Sequence, residues 1–281
     1  MAKAYSFAGT TMTVLVSGAE TNGAFAVLHV IKPPGSSTPP HSHDRELELS
    51  YVLSGTLSVE TEGRTDTRAP GEHVVLSPRR PHRLFNDSGE MVREFLICSP
   101  AIFDRFVAAA GSPVEPYSEP RPMTGEERQR LVDLAPDFGV RLLRSAVPDA
   151  VTATPSQQAT GAVTMLGPLT EIVAQLGPAH DLVLTRHAMP PGRDLELDGQ
   201  VDLVCFFVIE GAPEVYREGI GWTPLHPNEA LLTGINMRCF VRNTTHAPAC
   251  FLLVSTAQAT KELEVAIARS DARHHPLGCD P

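Results

Sequence analysis

Lysine is almost missing from this chain: Lys3, Lys32 and Lys261 stand against twenty arginines in 281 residues, and the net charge is -10 with a pI near 5.5. No basic run offsets the acidic balance, which argues against nucleic acid or an anionic membrane as a partner, because both select a positive face. Long apolar runs are missing as well. No stretch approaches the length of a membrane span, and Met1 to Thr10 holds one lysine but no apolar core long enough for a signal peptide. A cytoplasmic location is the expectation. Cysteine is sparse: Cys98, Cys205, Cys239, Cys250 and Cys279 are an odd number without C-x-x-C spacing. That pattern argues against a zinc knuckle and predicts reduced thiols where a secreted protein would carry a disulfide framework.

What remains is a soluble globular composition, 42% hydrophobic and 20% charged, long enough for one large or two ordinary domains. Short segments rich in Val, Leu, Phe and Thr recur with turn signals every eight to twelve residues. The pattern predicts strands over 11–16, 24–31, 48–53, 56–60, 64–68, 73–76, 82–86 and 92–97. Such spacing suits a small antiparallel barrel or jelly roll. A helix is predicted over 101–110, with Ile102, Phe103 and Phe106 on one face and Gly111 as its stop. A second opens at Thr124-Gly-Glu-Glu127, a capping-box spacing, and runs through Leu131 and Leu134.

The chain also repeats itself. Val27 to Gly35 is echoed by Leu184 to Gly192, Tyr51 to Gly55 by Phe207 to Gly211, and Gly71 to Asn86 by Asn228 to Asn243. Gly35 and Asn86 are 51 positions apart, and so are Gly192 and Asn243. Two barrels are therefore expected: 1–111, a proline-rich and helical connector over 112–158, a second barrel over 159–260, and a tail over 261–281 that starts helical and frays.

Chemistry concentrates between Gly35 and Asn86. His41 and His43, one residue apart in an extended segment, project from one face, and Glu48 follows beyond a short turn. A second strand pair can bring His82 against them. Three imidazoles and one carboxylate form a donor set suited to a divalent first-row transition metal. Glu46 is the competing carboxylate, and its spacing from His43 reads as a rim position. Asn86, four residues after His82, is a candidate for holding a ligand or water behind the metal, or else for capping a turn. His29 lines the pocket or points outward. Tyr51 has the opposite strand parity to Glu48 and should pack outside the barrel. Arg79, Arg80 and Arg83 flank the last histidine and are either solvated or bind a substrate carboxylate at the mouth.

These residues carry a family resemblance. Gly35, His41-Ser-His43, Glu48 and Gly55 fill every fixed position of the first cupin motif. Gly71, His82 and Asn86 match the second, in which Ser77 and Arg79 replace its proline and glycine. The chain thus resembles the cupin superfamily. The resemblance implies an all-β fold of two cupin barrels (double-stranded β-helix, or jelly roll) with short helices in the connector, and metal ligation by His41, His43, Glu48 and His82. In the second repeat, Leu197, Gly199 and Val204 (or, one residue on, Asp198, Gln200 and Cys205) stand where the first three ligands would be, and Cys239 stands for His82. That barrel is expected to be degenerate and to serve as a scaffold, a lid or a dimerisation surface, with His180, His187, His226 and His246 structural or exposed. His274-His275 falls in the tail.

Residues from about 10 to 145 resemble the quercetin 2,3-dioxygenase-like cupins. That implies a metal-dependent dioxygenase acting on a small enolic, phenolic or polyketide-like substrate with dioxygen. Iron is the first expectation, with nickel, manganese, cobalt or zinc as alternatives, and Glu48 serves as both ligand and base. Two other readings stand beside it: a non-redox cyclase, isomerase or decarboxylase using the metal as a Lewis acid, and a metabolite-binding module. A monomer or a homodimer is expected.

Overall fold

The structure is a computed structural model that describes residues 2–143, 164–167, 170–176, 181–197, 203–233 and 239–256. The chain divides into two compact units, 1–160 and 161–281. The first contains β1 (Lys3–Phe7), β2 (Thr10–Val16), β3 (Ala26–Lys32), β4 (His41–His43), β5 (Leu47–Ser54), β6 (Leu57–Thr61), β7 (Arg64–Arg68), β8 (His73–Leu76), β9 (His82–Phe85), β10 (Val92–Ser99), β11 (Ser112–Val114) and β12 (Val140–Leu142), with helices α1 (Phe103–Ala110) and α2 (Gly125–Leu134). They form a seven-stranded sheet ordered β11-β1-β2-β3-β10-β5-β8 and a five-stranded sheet ordered β12-β4-β9-β6-β7. This is the jelly-roll barrel expected from the turn spacing.

Register decides which residues look inward. On the central strands Glu48 lies opposite Cys98, Ser50 opposite Leu96 and Val52 opposite Glu94, and β10 in turn sets Cys98, Leu96 and Glu94 beside Ala26, Leu28 and Val30. Residues directly opposite in an antiparallel pair share a face. Glu48 therefore belongs to the face that carries Leu28, Leu96 and Cys98, which pack with Phe7, Phe103, Phe106, Leu131 and Val140 in one apolar cluster. Tyr51, Phe95 and His29 lie on the other face, as Tyr51's parity predicts.

The helices form for the reasons written in the sequence. Thr124 caps α2 with a reciprocal box: its hydroxyl accepts from Glu127 N at 3.2 Å, and the Glu127 carboxylate accepts from Thr124 N at 2.8 Å. A 3-10 turn follows α2, and Gly139, in the left-handed region at φ 70°, redirects the chain into β12. β12 pairs with β4, setting Val140 opposite His43 and Leu142 opposite His41. The stretch read as connector thus delivers an edge strand to the first unit. Its residues 144–158 lie outside the described residues, as do His180, Gly199 with its neighbours Asp198 and Gln200, and the tail with His274, His275 and Cys279.

The second unit contains β13 (Thr164–Gly167), β14 (Thr170–Leu176), β15 (Leu182–Met189), β16 (Asp194–Leu197), β17 (Val204–Glu210), β18 (Glu214–Arg217), β19 (Gly221–Pro224), β20 (Ala230–Thr233), β21 (Cys239–Arg242) and β22 (Ala249–Thr256). Its sheets run β13-β14-β15-β22-β17-β20 and β16-β21-β18-β19. The repeat holds in register: Leu197 lies opposite Cys239 as His41 lies opposite His82, and Val204 opposite Ser255 as Glu48 opposite Cys98. It also holds in turn chemistry. Gly55 (φ 77°) and Gly211 (φ 82°) both need glycine, because an added Cβ would stand 2.5 Å from Met91 O and 2.7 Å from Pro248 O respectively. Among the described residues no helix is long and apolar enough to cross a membrane.

Candidate metal centre

Three strands and one turn assemble the site. β4 presents His41 and His43, the first inward position of β5 presents Glu48, and β9 starts at His82, directly opposite His41. All four side chains are buried, and one ligand atom from each lies within 4.8 Å of the others. The imidazoles of His41 and His82 have ring centroids 4.3 Å apart, and Glu48 Oε2 stands 3.3 Å from His43 Nε2 and 3.8 Å from His82 Nε2. That spread is close to the span of one coordination sphere built from bonds of about 2.1 Å.

Hydrogen bonding fixes the orientation of two rings. His41 Nδ1 is 2.9 Å from Pro39 O, and His82 Nδ1 is 2.9 Å from Arg80 O. A carbonyl only accepts, so each Nδ1 carries the proton and each Nε2 turns its lone pair toward the cluster. His82 Nε2 and His43 Nε2 are buried without a hydrogen-bond partner. Buried imidazole nitrogens of this kind, gathered around a carboxylate, are what a cation would satisfy once His43 has given up its proton.

The charges agree. Burial, with the neighbouring His82 and His43, holds His41 well below its ordinary pKa, and burial also lowers His82. Both are neutral donors at neutral pH. Burial would lower His43 too, but the Glu46 and Glu48 carboxylates on either side outweigh it and raise His43 to about 9. Burial would raise Glu48; the His43 imidazolium 3.3 Å away, with the charges of His82 and His41, instead holds it at about 2. In the metal-free protein His43 thus carries the cationic charge that balances Glu48.

Several supporting residues behave differently from their sequence reading. Glu46 is not at the rim. It is buried, one carboxylate oxygen lies 3.5 Å from His43 Nδ1, and the other accepts from Ile102 N and Phe103 N at 2.9 Å each, capping a helix whose own N-cap position, Ile102, offers no side-chain acceptor. Asn86 does not support the cluster. Its Nδ2 donates to Lys32 O and Glu90 O while its Oδ1 accepts from Ser88 N and Ser88 Oγ. Asn243 repeats every one of these bonds with Met189 O, Ala247 O and Thr245, in a barrel with no such cluster among its described residues. Asn86 is a turn cap. His29 shares no face with Glu48 and packs its ring 5.1 Å from that of Tyr117.

Two features lay beyond sequence reasoning. Cys98 sits beside Glu48, where burial and the carboxylates of Glu46 and Glu48 push its thiol up, so it stays protonated next to the cluster. Arg79, standing in a motif glycine position, adopts the left-handed conformation itself (φ 63°), and its N–H donates to His43 O at 2.6 Å, so the turn before His82 keeps its course. The arginines do not reach the cluster: Arg80 pairs with Glu62 at 2.8 Å and Arg83 with Glu60 at 2.7 Å, stacking on Phe85. In the second barrel Val204 and Cys239 hold the positions of Glu48 and His82, and burial pushes the Cys239 thiol up to about 12.

Residues 28–98 match the family model described as a cupin domain. Over 109 residues, 38% of this chain, the sequence is 27% identical to quercetin 2,3-dioxygenase of Bacillus subtilis (strain 168), and the match spans 32% of that relative's length. Among solved structures, the protein Ylba from E. coli superposes with a TM-score of 0.59 at 12% identity, covering 89% of this chain and 84% of that one. Oxalate decarboxylase from Bacillus subtilis does so with a TM-score of 0.54 at 14% identity, covering 90% and 73%. At such identities the likeness is one of fold.

Proposed function

We propose that this chain, whose residues 28–98 match the cupin domain model and whose fold is like that of two-barrel cupins, is a metal-dependent cupin enzyme whose centre is His41, His43, Glu48 and His82, acting as a dioxygenase on a small enolic or phenolic substrate. The observation that carries this reading is the convergence of four buried donor atoms within 4.8 Å, two of them imidazole nitrogens without a hydrogen-bond partner. A divalent first-row metal held there supplies Lewis acidity and, if redox-active, electron transfer.

The chain's own residues do the rest. His41 and His82 are oriented by Pro39 O and Arg80 O, so their Nε2 atoms face the cluster without rearrangement. Glu48, buried between two imidazoles, is the carboxylate placed to receive the proton of a substrate hydroxyl at the centre. Phe103, whose ring packs edge-on 5.7 Å from that of His43, covers one side of the cluster with apolar surface. The distant likeness to quercetin 2,3-dioxygenase supports an oxidative reaction.

The same donor set accepts redox-silent ions, which favours as second reading a cyclase, isomerase or decarboxylase. Oxygen-electrode assays with flavonol and 1,3-diketone substrates separate the two. Oxygen uptake that tracks metal loading supports the dioxygenase; substrate turnover without oxygen uptake selects the non-redox enzyme; binding without turnover leaves a metabolite-binding module.

A further inference from the structure

Lys32 is one of three lysines in the chain, and it is buried. Its Nζ stands 2.7 Å from Glu94 Oε1, and Glu94 Oε2 accepts a 2.5 Å hydrogen bond from Ser50 Oγ. Both carboxylate partners are themselves buried, and Glu94 is 0% exposed. Ser50 lies two residues after Glu48 on β5, so it shares the inward face of the metal cluster, one inward position away, on the order of 7 Å along the strand.

The second barrel shows that the fold does not require this group. By register, Met189 opposite Ala249 stands where Lys32 stands opposite Val92, Phe251 opposite His187 replaces Glu94 opposite Val30, and Phe206 opposite Leu253 replaces Ser50 opposite Leu96. All three replacements belong to one apolar core. A buried ion pair exchanged for well-packed apolar groups often leaves stability unchanged or higher. In this chain the ion pair occurs in the barrel that has the histidine cluster, and an apolar core occurs in the one where Val204 and Cys239 replace two of its members.

We propose that Ser50, Glu94 and Lys32 are a polar anchor for the far end of a small organic ligand, a phenol or enol hydroxyl, whose near oxygen occupies the His41-His43-Glu48-His82 centre. Ser50 Oγ spends its proton on Glu94 and keeps lone pairs to accept from that hydroxyl, and Glu94 offers further acceptor capacity. Lys32 neutralises the carboxylate, so the ligand enters a site of no net charge. The proposal rests on the metal reading above and narrows its substrate to a molecule with two oxygen functions at opposite ends.

The test uses full-length protein loaded with cobalt(II), whose visible bands report ligands at the metal, titrated with 4-hydroxybenzoate and with benzoate. The expected result is wild-type binding of 4-hydroxybenzoate at least tenfold tighter than benzoate, with the ratio falling to about one in Ser50→Ala and in Lys32→Met/Glu94→Leu, while benzoate affinity and cobalt stoichiometry stay at wild-type values. The melting temperature of the metal-free double variant should equal or exceed that of wild type. Equal binding of both probes by wild type, or a ratio untouched by Ser50→Ala, overturns the anchor while leaving the metal centre intact. A double variant that melts below wild type and loses benzoate binding makes the group structural and also overturns it. Absence of cobalt bands in wild type removes the metal reading, and the anchor with it.

Discussion

Glu46 joins His43 to a helix 56 residues further along the chain: one carboxylate oxygen faces His43 Nδ1 at 3.5 Å, and the other caps the N–H groups of Ile102 and Phe103. One side chain therefore serves the fold and the site together. Glu46→Gln keeps an acceptor for the cap but removes the charge beside His43. It should weaken metal binding by about 10- to 100-fold with little change in melting temperature, measured by chelator competition and thermal melts. Glu46→Ala should in addition cost about 1 kcal/mol as the cap is lost. Unchanged metal affinity in Glu46→Gln would remove Glu46 from the site.

Metal uptake should be coupled to one proton. His41 and His82 are already neutral near pH 7 and Glu48 is ionised, while His43, raised to about 9, must lose its proton to become a donor. Calorimetric titration with zinc in buffers of different ionisation enthalpy should report release of about one proton per chain near pH 7. Release of none would mean that His43 is neutral before the metal arrives.

Acid should destabilise the second barrel through His187. Its nitrogens lie 3.1 and 2.8 Å from the hydroxyls of Thr170 and Thr185, its ring stacks on Phe251, and burial lowers it from 6.5 to about 3. Between those values the unfolded chain takes up a proton that the folded state refuses. Stability is therefore present above 6.5 and falls by up to about 1.4 kcal/mol per pH unit as pH drops toward 3. His29, lowered to about 4 by burial and by Arg93, adds the same sign in the first barrel. Melts at falling pH should show a shallower decline for His187→Gln than for wild type, and identical slopes would contradict this.

The two asparagine caps should behave alike. Asn86→Ala and Asn243→Ala each leave buried backbone carbonyls unpaired and should each cost about 2–3 kcal/mol, with metal content unchanged in both. Loss of metal from a folded Asn86→Ala variant would return Asn86 to the metal site.

The histidines were legible because their spacing is local: strand alternation puts His41 and His43 on one face, and the glycines that bound the motif are demanded by tight turns. Tyr51's outward position followed from parity alone, and the Thr124 cap from its four-residue box. What stayed hidden depends on pairing between distant segments. Glu46's role needs α1 to return beneath the β4–β5 turn, and the Lys32–Glu94 pair needs the register between β3 and β10. His29 and Asn86 sat at plausible spacings, and only cross-strand register and the duplicated bonds of Asn243 separated support of the cluster from packing and capping.

The most direct test is metal content by plasma mass spectrometry on untagged protein, as purified and after reconstitution, for wild type and for His41→Ala/His82→Ala. The account predicts about one divalent transition-metal ion per wild-type chain and none in a double variant whose circular dichroism is unchanged. Wild type that takes up no metal under any reconstitution, or a double variant that keeps its full complement, would contradict it.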